Sequence, residues 1–469
     1  MSDGTSSLVG EAPQDAALRG FLAAVALVLV VASHLVWSSP EYRQQHLLLA
    51  GLLAMMGFRG ILWPLLRKSG ARGALAVAGL LIAHAASWIG GVWNGVPPVA
   101  ATGAAAQGLI GAVGLAVLVA VLVEKRFHRY AKWTGFAVLA LIVTGSFIGY
   151  LVSIERYIEL GGYGNFYSQL RMALIWPTRM LTAAFGQIAW DNANYAAYYF
   201  ALAFALLLES MADGGVRNPW MRWGWCVALV AGVYLTASRS GAMMGCFALA
   251  LVLPGRPLRF LLRTLAVVAL GIAVGYGGLH FKENLISPKS ESLEPASRAE
   301  PPKSGSPSAP RPKPPPPKVP DPGKRVETTE DHTSAYLKRA SAGRTKIYLH
   351  LWKSMAASRW CGKGLAVTGK DVDFLNHEHS SYVATFRGGG LVALAGHTLA
   401  LAAAAWGALR LWRRHSLRWP AVLLVVATGG LLFDRSSVIA LTGNYEFLSH
   451  WVAVWVAVLL APGESGASD

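Results

Sequence analysis

The sequence His377-Glu378-His379-Ser380 combines two imidazoles with a carboxylate between them. Histidine exchanges protons near neutral pH, so either ring is a candidate general base, with Glu378 placed to orient or charge-pair with one of them. A metal cluster with Asp371 and Asp373 is a competing reading, and so is a plain structural histidine pair. The spacing matches no standard zinc arrangement and lacks a cysteine partner, which leaves base catalysis the favoured chemistry.

Arginines supply the complementary chemistry. Arg239 lies in Leu235-Thr236-Ala237-Ser238-Arg239-Ser240-Gly241, where small neighbours leave room for a ligand. Arg222 and Arg256 each lie seventeen positions from it, or ~25 Å along a helix. That is less than the ~30 Å hydrocarbon core, so a guanidinium there is costly unless it meets an anion, lines a wet cavity or snorkels to the lipid headgroups. Arg344 opens a second stretch, Ala335–Ser358, whose Ile347, Tyr348, Leu351, Trp352 and Met355 recur at helical spacing. An amphipathic helix is expected there, with Arg344 on the apolar face and turned toward the membrane surface or a cavity. A weaker group spans Arg171 to Asn194 and includes Arg179 and Asp191-Asn192-Ala193-Asn194; Arg387 follows the histidines.

The elements that must position these groups are membrane helices. Hydrophobic residues make up 54% of the 469 residues and charged residues only 14%, with a formal charge of +17. So little charge cannot cover several soluble cores. The basic excess sits between apolar runs, as in a polytopic membrane protein rather than a nucleic-acid binder. Three scattered cysteines exclude a disulfide framework. At about 20 residues per crossing, about twelve spans are expected: Phe21–Trp37, Leu47–Leu66, Ala74–Val92, Ala106–Val123, Trp133–Ile154, Ala193–Leu208, Trp223–Ala237, Ala242–Pro254, Leu261–His280, Leu391–Leu411, Trp419–Phe433 and Leu448–Leu460. Basic clusters follow every second span: Arg67, Lys68 and Arg72, then Lys125 to Lys132, Arg217 and Arg222, Arg256 to Arg263, and Arg410 to Arg418. Such alternation predicts that both termini are cytoplasmic. No cleaved signal peptide is evident in the first twenty residues.

The expected fold class is therefore all-α, a polytopic membrane protein with a large, partly helical loop on the external side, which the resemblance given below makes periplasmic. Residues 1–154 hold spans 1–5 and residues 155–192 a first loop on that side. Spans 6–9 occupy 193–280, the large loop 281–381, and spans 10–12 with a cytoplasmic C-terminus 382–469. Near 287–325 the loop carries a Pro-rich insert, including Pro314–Pro317, that cannot build a core. Histidines inside spans, such as His34, His84 and His397, are expected to pack or hydrogen-bond. Chemistry is expected at the outer face, because mid-span charge is scarce while arginines and histidines crowd that side.

Taken in order and sidedness, these motifs resemble the O-antigen ligase and polymerase superfamily. The resemblance rests on Ser238-Arg239-Ser240-Gly241 after an apolar helix, Gly186…Asp191-Asn192-Ala193-Asn194, Arg344…Trp352…Gly362-Lys363-Gly364-Leu365, and His377-Glu378-His379-Ser380 leading to Gly388–Gly390. It covers roughly Arg171 to Leu411. The chain departs from the family where Ser380 replaces a frequent asparagine, and in its Pro-rich insert.

The resemblance implies glycan transfer at the periplasmic face of the bacterial inner membrane, inverting and without metal or other cofactor. The donor would be a glycan on undecaprenyl pyrophosphate and the acceptor a sugar hydroxyl of lipid A–core; membrane lipids surround the site and nucleic acid has no role. Arg239 and Arg344 would neutralise the departing pyrophosphate and His379 would take the acceptor proton. His377, Arg171, Arg179, Asn194 and Arg387 would bind substrate. An O-antigen polymerase or a protein O-oligosaccharyltransferase would share this donor chemistry. A lipid-linked glycan flippase, a different class, would need a continuous polar path that the spans do not offer.

Overall fold

A computed structural model describes residues 25–26, 40–124, 193–212, 219–235, 239–286, 344–365, 380–433, 437–441 and 445–461. Within them the protein is all-helical. The helices are α1 (Pro40–Met55), α2 (Trp63–Ser69), α3 (Ala71–Trp93), α4 (Pro98–Glu124), α5 (Ala193–Ala212), α6 (Pro219–Leu235), α7 (Arg239–Val252), α8 (Leu258–Ile286), α9 (Arg344–Ser354), α10 (Ser381–His415), α11 (Trp419–Gly430) and α12 (Tyr445–Leu460).

Among the described residues, Ala71–Trp93, Pro98–Val123, Leu258–Gly277 and Ser381–His415 are each long and apolar enough to cross a bilayer. A fifth crossing, Gln44–Met55 with Phe58–Ser69, bends by 62°. There the expected span Leu47–Leu66 is interrupted by a π-turn at Phe58–Leu62, a common cause of helix kinks. The expected first and fifth spans lie outside the described residues, apart from 25–26, as does the Pro-rich insert. Residues α5, α7, α11 and α12 are apolar, but their apolar stretches are shorter, such as Gly241–Val252 and Phe447–Leu460.

Helices in lipid gain little from a hydrophobic drive and associate through close packing, which small residues permit. The α3–α10 pair shows this: Gly79 and Gly396 face each other so closely that a Cβ on either would strike the other's carbonyl oxygen. Opposite that seam, Trp451 and Trp455 of α12 are fully buried. Their indole N–H groups donate to the carbonyls of Val438 (2.7 Å) and Ala112 (2.9 Å), as buried donors must. Of the in-span histidines, His34 lies outside the described residues, while His84 and His397 are core groups, as expected. His84 Nδ1 lies 2.8 Å from the Leu80 carbonyl, and His397 Nε2 lies 2.9 Å from His450 Nε2.

Contacts between helix ends sort the loops into two sets. Arg72 at the start of α3 donates to the Ala461 carbonyl beyond α12 (3.0 Å). Arg418, between α10 and α11, donates to the Pro254 carbonyl beyond α7 (2.6 Å), and Arg256 pairs with Glu209 near the end of α5 (2.9 Å). Connections that the basic alternation assigns to one face thus share one end of the bundle. The opposite end carries the starts of α7 and α10.

Candidate functional site

At that opposite end, Arg239 is the first residue of α7. The expected span beginning at Ala242 therefore starts three residues earlier, with the arginine inside the first helical turn. Gly241 packs against Ala197 of α5 so closely that a Cβ would overlap it, and a Cβ on Gly429 of α11 would strike the Met244 sulfur. The neighbouring Thr428 carbonyl accepts a hydrogen bond from Tyr382 in the first turn of α10 (3.1 Å). A short chain of contacts therefore links the start of α7, below Arg239, to the start of α10, which begins two residues after His379 in sequence.

Helix α10 is broken nine residues in. Gly390 adopts φ 66°, ψ −162°, a conformation that a side chain would make costly. In an unbroken helix the amides of Leu391 and Val392 would donate to the carbonyls of Arg387 and Gly388. Instead, the segment Arg359–Gly364 is inserted between the halves. Leu391 N–H donates to the Arg359 carbonyl (2.7 Å) and Val392 N–H to that of Trp360 (3.0 Å). Lys363 N–H donates to the Arg387 carbonyl (2.8 Å) and Gly364 N–H to that of Gly388 (2.9 Å). Both halves of two lost helical hydrogen bonds are thereby satisfied, as buried backbone requires. Gly362, at φ 70°, lets this segment run against the Gly388–Gly390 backbone, where a Cβ would lie 2.5 Å from Gly388 and Gly389 main-chain atoms.

Helix α3 holds the same segment from the other side. Asn94 Nδ2 donates to the Gly362 carbonyl (3.0 Å), and Ser358 Oγ donates to Asn94 Oδ1 (2.9 Å). Ser87 Oγ donates to the Gly388 carbonyl (3.0 Å). Through this clasp α9 is fastened to α10. Leu351 of α9 and Met355 just beyond it bury themselves with Phe386. The described helix runs Arg344–Ser354, followed by a 3-10 turn at Ala356–Ser358; the expected stretch from Ala335 to Gly343 lies outside the described residues. The expected apolar face is also narrower than its periodicity suggests. Trp352 is 45% exposed and stacks on the Phe386 ring at 5.6 Å, with the Arg359 guanidinium 4.7 Å from its centroid on a ring face.

Of the residues singled out from the sequence, Arg239 and Arg344 each open a helix and Asn194 is the second residue of α5. Arg387 sits half-buried beside the break in α10. His379, His377, Arg171 and Arg179 lie outside the described residues. Sequence reasoning passed over Arg359, Asn94 and Ser87. The two glycine-rich runs were visible, but nothing in one chain says that they interlock.

The comparisons with known proteins are concentrated on this region. No curated protein matches the chain. Residues 224–398 match the family model described as O-antigen ligase. The matched stretch begins in α6, takes in Arg239, Arg344, the Arg359–Gly364 and Gly388–Gly390 parts of the clasp, both histidines of the His-x-His element and Arg387, and ends just past His397.

Proposed function

From the premise that this chain carries a domain of the O-antigen ligase and polymerase superfamily, we propose that it is an O-antigen ligase of the bacterial inner membrane. It transfers a polysaccharide from undecaprenyl pyrophosphate to a sugar hydroxyl of lipid A–core, working at the periplasmic face. The observation that carries this reading is the family match over 224–398. The clasp supports it, because the segment between Arg344 and the His-x-His element is pinned to the helix that follows His379.

In this mechanism the leaving group is a lipid pyrophosphate, so charge stabilisation matters more than a general acid. Arg239 and Arg344 bind its oxygens with planar forks, and their attraction grows as the anomeric C–O bond breaks. His379, neutral at its Nε2 or Nδ1, takes the proton of the attacking hydroxyl, and inversion follows from a single displacement. Both substrates are amphiphiles, and a site at the end of the bundle meets them where their head groups lie. Arg387 and His377 lie near the reacting groups in sequence and serve binding; Arg171, Arg179 and Asn194 add cationic and amide donors on the same side.

The test is product analysis with purified protein in detergent, lipid-linked O-antigen and lipid A–core, without ATP and with a chelator present. Lipopolysaccharide carrying the polysaccharide is the expected product. Chains lengthened on the carrier lipid would identify a polymerase, and glycosylated serine or threonine in an added protein an oligosaccharyltransferase. No glycan transfer of any kind would return the flippase reading to the front.

A further inference from the structure

Arg359 belongs to none of the motifs above, yet both its backbone and its side chain are held in place. Its carbonyl is tied to Leu391 and its guanidinium lies over Trp352 at 4.7 Å. Trp352 is backed in turn by the Phe386 ring. Its Nε is buried without a hydrogen-bond partner among the described residues. A buried donor left open costs free energy, and stacking on indole fixes the plane of the fork without using its N–H groups. The neighbouring described segments have one sign. Among residues 344–365 and 380–394 there are Arg344, Lys346, Lys353, Arg359, Lys363 and Arg387, with no aspartate or glutamate. Exposed Trp360 and Trp93, at 70% and 84%, stand on the same rim.

We infer that Arg359 is a phosphate-binding residue for the glycolipid acceptor, separate from the site of the donor pyrophosphate. The inference rests on the ligase reading and deepens it. Separation follows from helix geometry. Trp352, which carries the Arg359 guanidinium, is eight residues from Arg344, or ~12 Å along α9. That axial distance is longer than two phosphates that share one bridging oxygen can span. A second phosphate must come from the acceptor or from a membrane phospholipid. The acceptor is favoured because the fork is held in one plane, whereas a mobile lipid headgroup needs only diffuse charge. The adjacent Trp360 also offers a flat face to a sugar ring.

The experiment is equilibrium binding of lipid A–core to the full-length protein in phospholipid-free detergent, using acceptor with its phosphates and acceptor treated with phosphatase. The wild-type protein should prefer the phosphorylated form by about tenfold, the lower range for hydrogen bonds to charged groups. Arg359→Gln should lose that preference, Arg359→Lys should keep part of it, and Trp352→Phe, which retains an aromatic face, should remain near wild type. In transfer assays Arg359→Gln should raise the acceptor KM by a similar factor, leaving the donor KM and kcat within about twofold. The assignment is overturned if Arg359→Gln retains the full preference, weakens both acceptor forms equally, or changes donor KM instead. It is also overturned if the defect appears only in nanodiscs containing phosphatidylglycerol, which would make Arg359 a lipid-headgroup contact. Because the binding arm needs no turnover, a protein that bound acceptor by this rule yet transferred no glycan would count against the ligase reading and not against Arg359.

Discussion

The two ends of the helix bundle treat their arginines differently. At one end Arg72, Arg256 and Arg418 spend hydrogen bonds on protein acceptors: the Ala461 carbonyl, the Glu209 carboxylate and the Pro254 carbonyl. At the other, Arg359 lies on an indole ring with its Nε unmatched, amid cations without a carboxylate among the neighbouring described residues. The first set closes connections between helices, although a buried guanidinium nitrogen without a hydrogen bond occurs there too, on Arg72. What distinguishes Arg359 is that its side chain rests on a ring and not on a protein acceptor, and on the proposal above it serves a substrate.

The sharpest way to break the contrast is to remove the assigned chemistry. His379→Ala should lower transfer by about 10²–10⁴-fold, the usual contribution of a general base, with the protein still inserted; an intact lipopolysaccharide ladder in cells carrying it would end the assignment. Arg239→Lys and Arg344→Lys keep the charge but lose the fork, and should reduce kcat by about 10²-fold, at the low end for loss of one oxyanion donor. Steady-state kinetics in detergent check both.

Smaller effects sharpen the comparison. Gly390→Ala places a Cβ against the Trp360 carbonyl at a positive φ. It should cost about 1–3 kcal/mol of backbone strain, and protease cleavage near the clasp should increase along with a loss of transfer. At the other end, Arg256→Gln removes a partly exposed partner of buried Glu209. It should lower the unfolding temperature in detergent with the rate per folded molecule unchanged; a selective loss of rate would erase the distinction between the ends. Deleting residues 301–322 of the Pro-rich insert should change neither transfer nor stability measurably, as expected for a stretch that builds no core.

The helical architecture was legible because bilayer physics restricts the chain so strongly: apolar runs of the right length have few alternatives to helices. Helices α3, α4, α8 and α10 fall on runs visible in the sequence, and the basic residues marked which connections share an end. The break in α10 was half legible. Gly388–Gly390 interrupts an apolar stretch, and the expected span began at Leu391, on the far side of the kink. Hidden was the partner of the break, since Arg359–Gly364 carries no pattern that specifies backbone pairing. Trp352 was misplaced for a related reason: periodicity assigns a face but not what covers it, and α9 is too slightly buried for every apolar position to face inward.

Residue types and their order suggest the chemistry proposed for this protein, a proton acceptor and forked cations at one face of a membrane, because those properties are local to side chains. Which cation is already satisfied and which is not depends on neighbours far apart in the chain. Arg256 meets a carboxylate 47 residues away, while Arg359 rests on an indole braced by α10. Only the packed structure decides that, since hydrogen bonding and stacking act over a few ångströms whatever the separation along the chain.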